Sequence, residues 1–344
     1  SERRVEAGPA PAGHTPMHRP RPTPPRAGPP PLTRLTAVRN ARDLADACPR
    51  LPPGRVLSTA CPAGAPEADV RLLRRTLGVA ALLDLRSDEE RAKDPRCLLL
   101  HAADADATTF DRDDPLPADA PAPPAPGEAR LAVRHVSLLD RKRFYRALLK
   151  SLPKRTALKV LTLNLLSPPR AKRAAMAAIN AGGLPSMYAC MLDSSAPEFA
   201  AAARCLLQAA SARLPLLFFC RVGKDRTGLF AALVLSLLGG CDESIAADYC
   251  LSDGTTPAIA LGGMEAAGRE LAGLDAAAFA RAPEGAIRGA LDHVRRVHGG
   301  VPSYLASGGF SRADQAALVA ALTVPAVEGG CGGYGVGEGG GSKL

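Results

Sequence analysis

The chain has 344 residues, 47% of them apolar and 22% charged, with a formal net charge of +9. That length carries one large domain or two small ones, and the apolar share is ample for a core. The positive excess is no nucleic-acid signature, because the first 42 residues alone hold eight arginines against Glu2 and Glu6. Nine cysteines, odd in number and with no C-x-x-C pair, read as reduced thiols and place the protein inside the cell. No apolar run reaches the roughly 18 residues of a membrane helix. The longest, Leu229 to Leu238, is too short, so the sequence predicts a soluble protein without a transmembrane segment.

Residues 1–34 are rich in Pro, Arg and Ala with no apolar period, the composition of a disordered arm. Its arginines resemble a transit peptide, and a start at Ser1 without methionine fits a trimmed terminus. A folded domain is expected over 35–323. RVLSTA (55–60) reads as a short strand, Glu67 to Leu77 as a helix ended by Gly78, and VAALLDL (79–85) as a buried strand. SDEER follows as a helix start, with Ser87 as N-cap and Glu90 completing a capping box. Residues 102–129, rich in Asp, Pro and Ala, are expected to form a long, mostly unstructured insertion.

LAVRHVSLL (131–139) resumes the sheet. Helical patterns broken at Pro153 and Pro168-Pro169 then run to Ile179, with eleven Lys or Arg between Arg141 and Arg173. That run is either a solvated face or a platform for an anionic partner such as a phospholipid headgroup. Helices are further expected at about 197–212, 227–238, from an Asp242 N-cap onward, 283–298 and 311–322, with GGVPSYL (299–305) as a turn. The Gly-rich tail 324–344 ends in Ser342-Lys343-Leu344, a peroxisomal tripeptide, so the location is cytoplasmic or peroxisomal. Strands alternating with helices predict an α/β fold, a central mainly parallel sheet flanked by helices.

The chemistry sits in LPLLFFCRVGKDRTGL (214–229), where an apolar strand stops at Cys220 and a glycine-containing basic loop leads into a helix. Such a loop points successive backbone N–H groups at one spot, a nest for an oxyanion reinforced by the helix N-terminus. Arg226 can fork onto two phosphate oxygens, and the local positive charge favours a Cys220 thiolate.

CRVGKDRTG resembles the HCxxGKDRTG loop of the tyrosine/serine and lipid phosphatase-like branch of the cysteine-dependent protein tyrosine phosphatase superfamily. NARDLAD (40–46), LGVAALLDLRSDEER (77–91), DYCLSD (248–253) and GGVPSYLASGGFSRAD (299–314) are similar to further segments of that branch. The resemblance implies a phosphate loop between a central strand and a helix, with Cys220 as nucleophile and Arg226 as phosphate clamp. It implies that Thr227 steadies the departing thiolate, and that the N–H groups of Arg221, Val222, Gly223, Lys224, Asp225 and Arg226 cradle the phosphate. Asp225 or Asp193 would be the general acid, and Asp84 could orient Arg226. No metal or cofactor is called for.

Phe219 stands where this branch carries histidine, and VLSTA departs from a strand ending in Arg-Ser. Arg221 and Lys224 match basic positions that meet inositol phosphates in lipid phosphatases. The expected function is therefore phosphomonoester hydrolysis through a cysteinyl-phosphate intermediate, on phosphotyrosine or phosphoserine proteins or on phosphoinositides, with peripheral contact to anionic lipid. The alternative is a weak or inactive pseudophosphatase that binds phosphorylated partners. Oligomeric state is not legible in the sequence.

Overall fold

The computed structural model describes residues 31–93, 109–110, 131–253 and 275–324. Most of the expected arm, most of the Pro/Asp/Ala insertion and all of the glycine tail but Val324 lie outside these residues. Six strands form one sheet: β1 (Arg42–Asp43), β2 (Val56–Thr59), β3 (Ala81–Asp84), β4 (Thr109–Phe110), β5 (Ala132–His135) and β6 (Leu216–Phe219). Their spatial order is β1-β2-β6-β3-β5-β4, antiparallel at β1–β2 and parallel elsewhere.

The central position of β6 follows from its composition, since LLFF is apolar on both faces and a strand buried on both faces must be so. Leu216 and Phe218 point into the larger core, whereas Leu217 and Phe219 point into the smaller one, the period of two that a pleated strand imposes. In register, Leu217 lies between Leu57 on β2 and Leu82 on β3.

Between the strands run α1 (Glu67–Arg71), which widens into a π turn over Leu72–Thr76, and α2 (Asp88–Lys93). After β5 come α3 (Arg141–Ser151), α4 (Lys154–Leu166) and α5 (Pro168–Ser194), separated at Pro153 and at Pro168-Pro169 because proline cannot continue a helix. α5 is itself kinked at Gly183, whose φ of 61° is not helical, just before Pro185. Then follow α6 (Ala196–Ser211), α7 (Asp225–Leu237), α8 (Asp242–Cys250), α9 (Ala276–Ala280), α10 (Glu284–His298), α11 (Val301–Ser307) and α12 (Arg312–Leu322). None of the described helices is long and apolar enough to cross a membrane.

The structure departs from the sequence reading at five places. The first is Pro31–Arg34, which forms a 3-10 turn with Leu32 packed against the smaller core, where the arm was expected to be disordered. The N-cap of α8 is Cys241 with Asp242 already helical, and GGVPSYL contains helix α11, started by Pro302 in its first turn. Arg42–Asp43 forms an edge strand within NARDLAD. Thr109–Phe110, within the expected unstructured insertion, pairs with β5.

α7 is apolar almost all round because it is enclosed by the sheet, α8, α10 and α11. Its Phe230 meets Phe218 of β6 edge-on, with centroids 5.1 Å apart and planes at 90°. Both rings are fully buried. Phe230→Ala is expected to cost about 3–5 kcal/mol, from lost transfer free energy and the cavity left behind. A urea midpoint unchanged from wild type would show that this ring pair does not hold α7 to the sheet.

Candidate active site

β6 ends by delivering Cys220 to the carboxyl edge of the sheet, and the chain bends from Arg221 to Lys224 before α7 begins at Asp225. Cys220 is 2% exposed, and the Gly223 N–H donates to its Sγ at 3.3 Å. The N–H groups of Arg221, Val222, Lys224, Asp225 and Arg226 have no backbone acceptor among the described residues. They sit at the positive end of the α7 dipole, a combination suited to an oxyanion.

Gly223 has φ 74°, in the left-handed region, and a Cβ there would fall 2.5–2.6 Å from backbone atoms of Thr59 and Ala60. Both torsion and space require glycine. The Gly223 carbonyl faces away from the cradle, accepting from Asn40 Nδ2 at 2.8 Å and Arg42 Nη2 at 3.3 Å. Asn40 also donates to Ser252 Oγ at 3.2 Å. Arg42 donates to the Asp248 carbonyl and lies 3.4 Å from its carboxylate. Burial pushes the Asp248 carboxyl up from its ordinary value while Arg42 opposes the shift. The NARDLAD and DYCLSD segments thus meet behind the loop.

Arg226 is pinned by Glu90 of α2 through a bidentate pair, with Nη2 donating to Oε1 at 2.8 Å and Nη1 to Oε2. Burial would raise the Glu90 carboxyl, but the hydrogen bond and charge of Arg226 and two bonds from Ser87 bring it down to about 2. Burial likewise would lower the Arg226 pKa, yet Glu90, with the charges of Cys220 and Asp225, raises it. The carboxylate that orients Arg226 is therefore Glu90, where the sequence offered Asp84. Asp84 instead holds Arg86, with contacts of 2.8–3.1 Å. Glu90 was visible in the sequence only as a capping-box residue, and it fills that role too, accepting from the Ser87 N–H at 2.8 Å.

Asp225, 30% exposed, accepts from the Tyr188 hydroxyl at 2.7 Å and lies 3.1 Å from Lys224 Nζ. Tyr188 is in turn 2.7 Å from the Tyr249 hydroxyl. Burial first, then the Asp225 charge, pushes both phenols well above their ordinary pKa, so both remain protonated. Gly228 makes room for this pair, since a Cβ there would lie 2.9 Å from the Tyr249 ring. Neither tyrosine was singled out in the sequence; the signal available was the Tyr within DYCLSD.

Lys224 departs from its expected side-chain role. Its ammonium is buried and donates to the carbonyls of Phe279 at 2.6 Å and Arg281 at 2.9 Å, leaving only its backbone N–H in the cradle. The Thr227 hydroxyl is buried and has no hydrogen-bond partner among the described residues. Phe219 is buried in the smaller core with the Arg86 guanidinium 5.5 Å over its ring. Asp193 is not brought to the loop; its carboxylate meets His293 and His298.

A family model described as the tyrosine phosphatase family matches residues 33–324, and the chain belongs to that family. It is a phosphatase of the tyrosine-phosphatase type, acting on a phosphorylated substrate. A comparison with curated proteins gives no match.

Because the folded pKa of Glu90 lies below the ordinary carboxyl value of 4.5, its contribution to stability is complete above about 4.5 and is lost as pH falls towards about 2. Glu90→Gln, which cannot titrate, is expected to be less stable than wild type at neutral pH, with the gap in urea midpoints closing across that window. A gap constant from neutral pH to 2 would contradict the pairing described.

Proposed function

We propose that the chain hydrolyses phosphomonoesters through a cysteinyl-phosphate intermediate on Cys220. The observation that carries this reading is the loop itself: a buried thiol at the centre of outward-free N–H groups, with a guanidinium held in a fixed plane beside it. The thiolate attacks phosphorus as the ester P–O bond breaks in line, and the leaving oxygen takes a proton from Asp225. Water then attacks the phosphocysteine, its proton returns to the Asp225 carboxylate, and the S–P bond breaks to release phosphate and thiolate. Arg226 and the loop N–H groups neutralise the equatorial oxygens in both steps. Thr227, with its hydroxyl otherwise unbonded, donates to the departing sulfur.

Asp225 is preferred to Asp193 as general acid because Tyr188 and Lys224 occupy its Oδ1, which leaves Oδ2 to carry the proton. The reaction as written uses protein groups and water alone.

A phosphoinositide is the substrate this reading favours, on the strength of α4. Its face carries Leu158, Leu161, Leu165 and Leu166, of which Leu165 is 86% exposed, beside exposed Lys154, Arg155 and Lys159. Leucines ringed by lysine and arginine suit an anionic bilayer, where apolar burial and charge attraction add. α3 starts beside the site, because Arg141 donates to Glu89 at 2.7 Å, next to Glu90 on α2, and α4 follows α3 after the break at Pro153. In this reading Arg221 is the loop side chain that meets ring phosphates.

Cys220→Ser is expected to abolish turnover of an aryl phosphate while retaining phosphate binding. Asp225→Asn should lose about 10²–10⁴-fold on poor leaving groups and far less on good ones. Binding of phosphorylated ligands by wild type without any Cys220-dependent turnover would instead establish a phosphate-binding module. For the substrate class, the triple change Leu158→Gln, Leu165→Gln, Leu166→Gln is expected to lower the rate on a phosphoinositide in phosphatidylserine vesicles relative to a soluble inositol phosphate. An unchanged ratio, together with turnover of phosphopeptides, would move the assignment to protein substrates.

A further inference from the structure

Asp193, left outside the phosphate loop, has its own chemistry. It lies in the last turn of α5, and its Oδ1 meets two imidazoles at once, His293 Nε2 at 2.7 Å and His298 Nε2 at 2.9 Å. The two histidines are both on α10 but five residues apart, hence about 140° apart around the helix axis. They reach one oxygen because His298 is the final residue of the helix, which Gly299 ends in the left-handed conformation. Asp193 fits between them. The three donor atoms lie within 4.8 Å of one another.

We propose that Asp193, His293 and His298 form a binding site for a divalent first-row transition ion of the zinc type. Two imidazole nitrogens and one carboxylate oxygen are the donor set that such ions take, and three protein ligands leave at least one position for water. Bonds of about 2.0–2.2 Å place tetrahedral ligands roughly 3.3 Å apart. The two oxygen–nitrogen separations therefore need to open by only about half an ångström, within reach of side-chain torsions at a partly exposed site.

The surroundings hold the donors in place. The buried Tyr304 ring packs edge-on against His298 with centroids 5.0 Å apart, and its hydroxyl donates to the Leu192 carbonyl at 2.9 Å, one residue before Asp193. His293 and His298 stand edge to face at 5.7 Å. The ring that orients one ligand is thus hydrogen-bonded beside another, the kind of outer support that fixes metal ligands. None of the three has a hydrogen bond or ion pair with residues 220–227 among those described, so the site does not depend on the hydrolytic reading. It lies five residues beyond Tyr188 on the same helix, about 7.5 Å along its axis. Bound metal cross-links the end of α5 to the end of α10, and thereby braces the helix that presents Tyr188 to Asp225.

The test uses the full chain without a histidine tag, in a Cys220→Ser background so that the loop thiol does not bind metal. Titration with Zn2+ by calorimetry is expected to show one ion per chain and to raise Tm. Co2+ is expected to give a spectrum without a thiolate charge-transfer band. His293→Gln, His298→Gln and Asp193→Asn, chosen to keep volume and polarity, should each weaken binding at least tenfold while the far-ultraviolet circular dichroism stays unchanged. Failure of Zn2+ and Co2+ to bind would leave an Asp–His hydrogen-bonded cluster alone and overturn the proposal. Binding that survives both histidine changes together, or that carries the thiolate band, would place the metal on cysteines and overturn it equally. Should the glutamine variants lose the circular dichroism of the wild type, Asp193→Asn alone decides between these outcomes.

Discussion

A guanidinium almost withdrawn from water cannot stand beside a thiol without a permanent counter-charge, and the pair formed by Arg226 with Glu90 answers that need. The arrangement around the phosphate loop follows from it. Glu90 must be aimed, so α2 starts with a Ser87 cap that fixes its first turn. α2 must leave the sheet beside β6, so β3 and β6 are neighbours in parallel register, with Asp84 opposite Phe219. The guanidinium offers five N–H donors, and Glu90 engages two of its nitrogens. In the proposed reaction, an incoming phosphate is met by a fork whose plane is already set.

The opposite side of the loop is built from neutral donors and from cations whose charges are already matched. Asn40 and the two buried tyrosines hold the Gly223 carbonyl and the Asp225 carboxylate, while Lys224 and Arg42 spend their charges on backbone carbonyls and on Asp225 and Asp248. Tyrosines whose ionisation is suppressed by burial are dependable donors at any working pH, so the direction of the bond to Asp225 does not invert. The cradle is thereby preorganised from behind, at the face that a ligand does not touch.

The fold was legible wherever an apolar run was bounded by proline or glycine, as in β3, β6, α7 and the breaks at Pro153 and Pro168. It was not legible where tertiary pairing creates the element, as for the two-residue strands β1 and β4, or where proline starts a helix and was read as a turn, as in α11. That Cys220 and Arg226 share one loop is legible because the loop is local in sequence. Glu90 was not assigned to Arg226, since 136 residues separate them and a capping box already accounted for the carboxylate. The place of Lys224 is not legible for a related reason: composition reveals a basic side chain, but only packing reveals that carbonyls from residues 279 and 281 have taken it. Tyr188, in an alanine-rich helix without any motif, carried no signal.

Those same carbonyls give Lys224 a second significance. Asp253 accepts from Arg281 Nε at 2.8 Å and from the Ala282 N–H at 2.7 Å, so the chain leaving α8 and the chain entering α10 are fastened together within two residues of the Lys224 contacts. The segment between Asp253 and Phe279, which includes the start of α9, is thus fastened at both ends beside Lys224. Where a connection fastened in this way is flexible, added length costs only about 0.6 kcal/mol for each doubling. Insertions and deletions between such fastened ends leave the buried Lys224 ammonium, and the loop it belongs to, where they are.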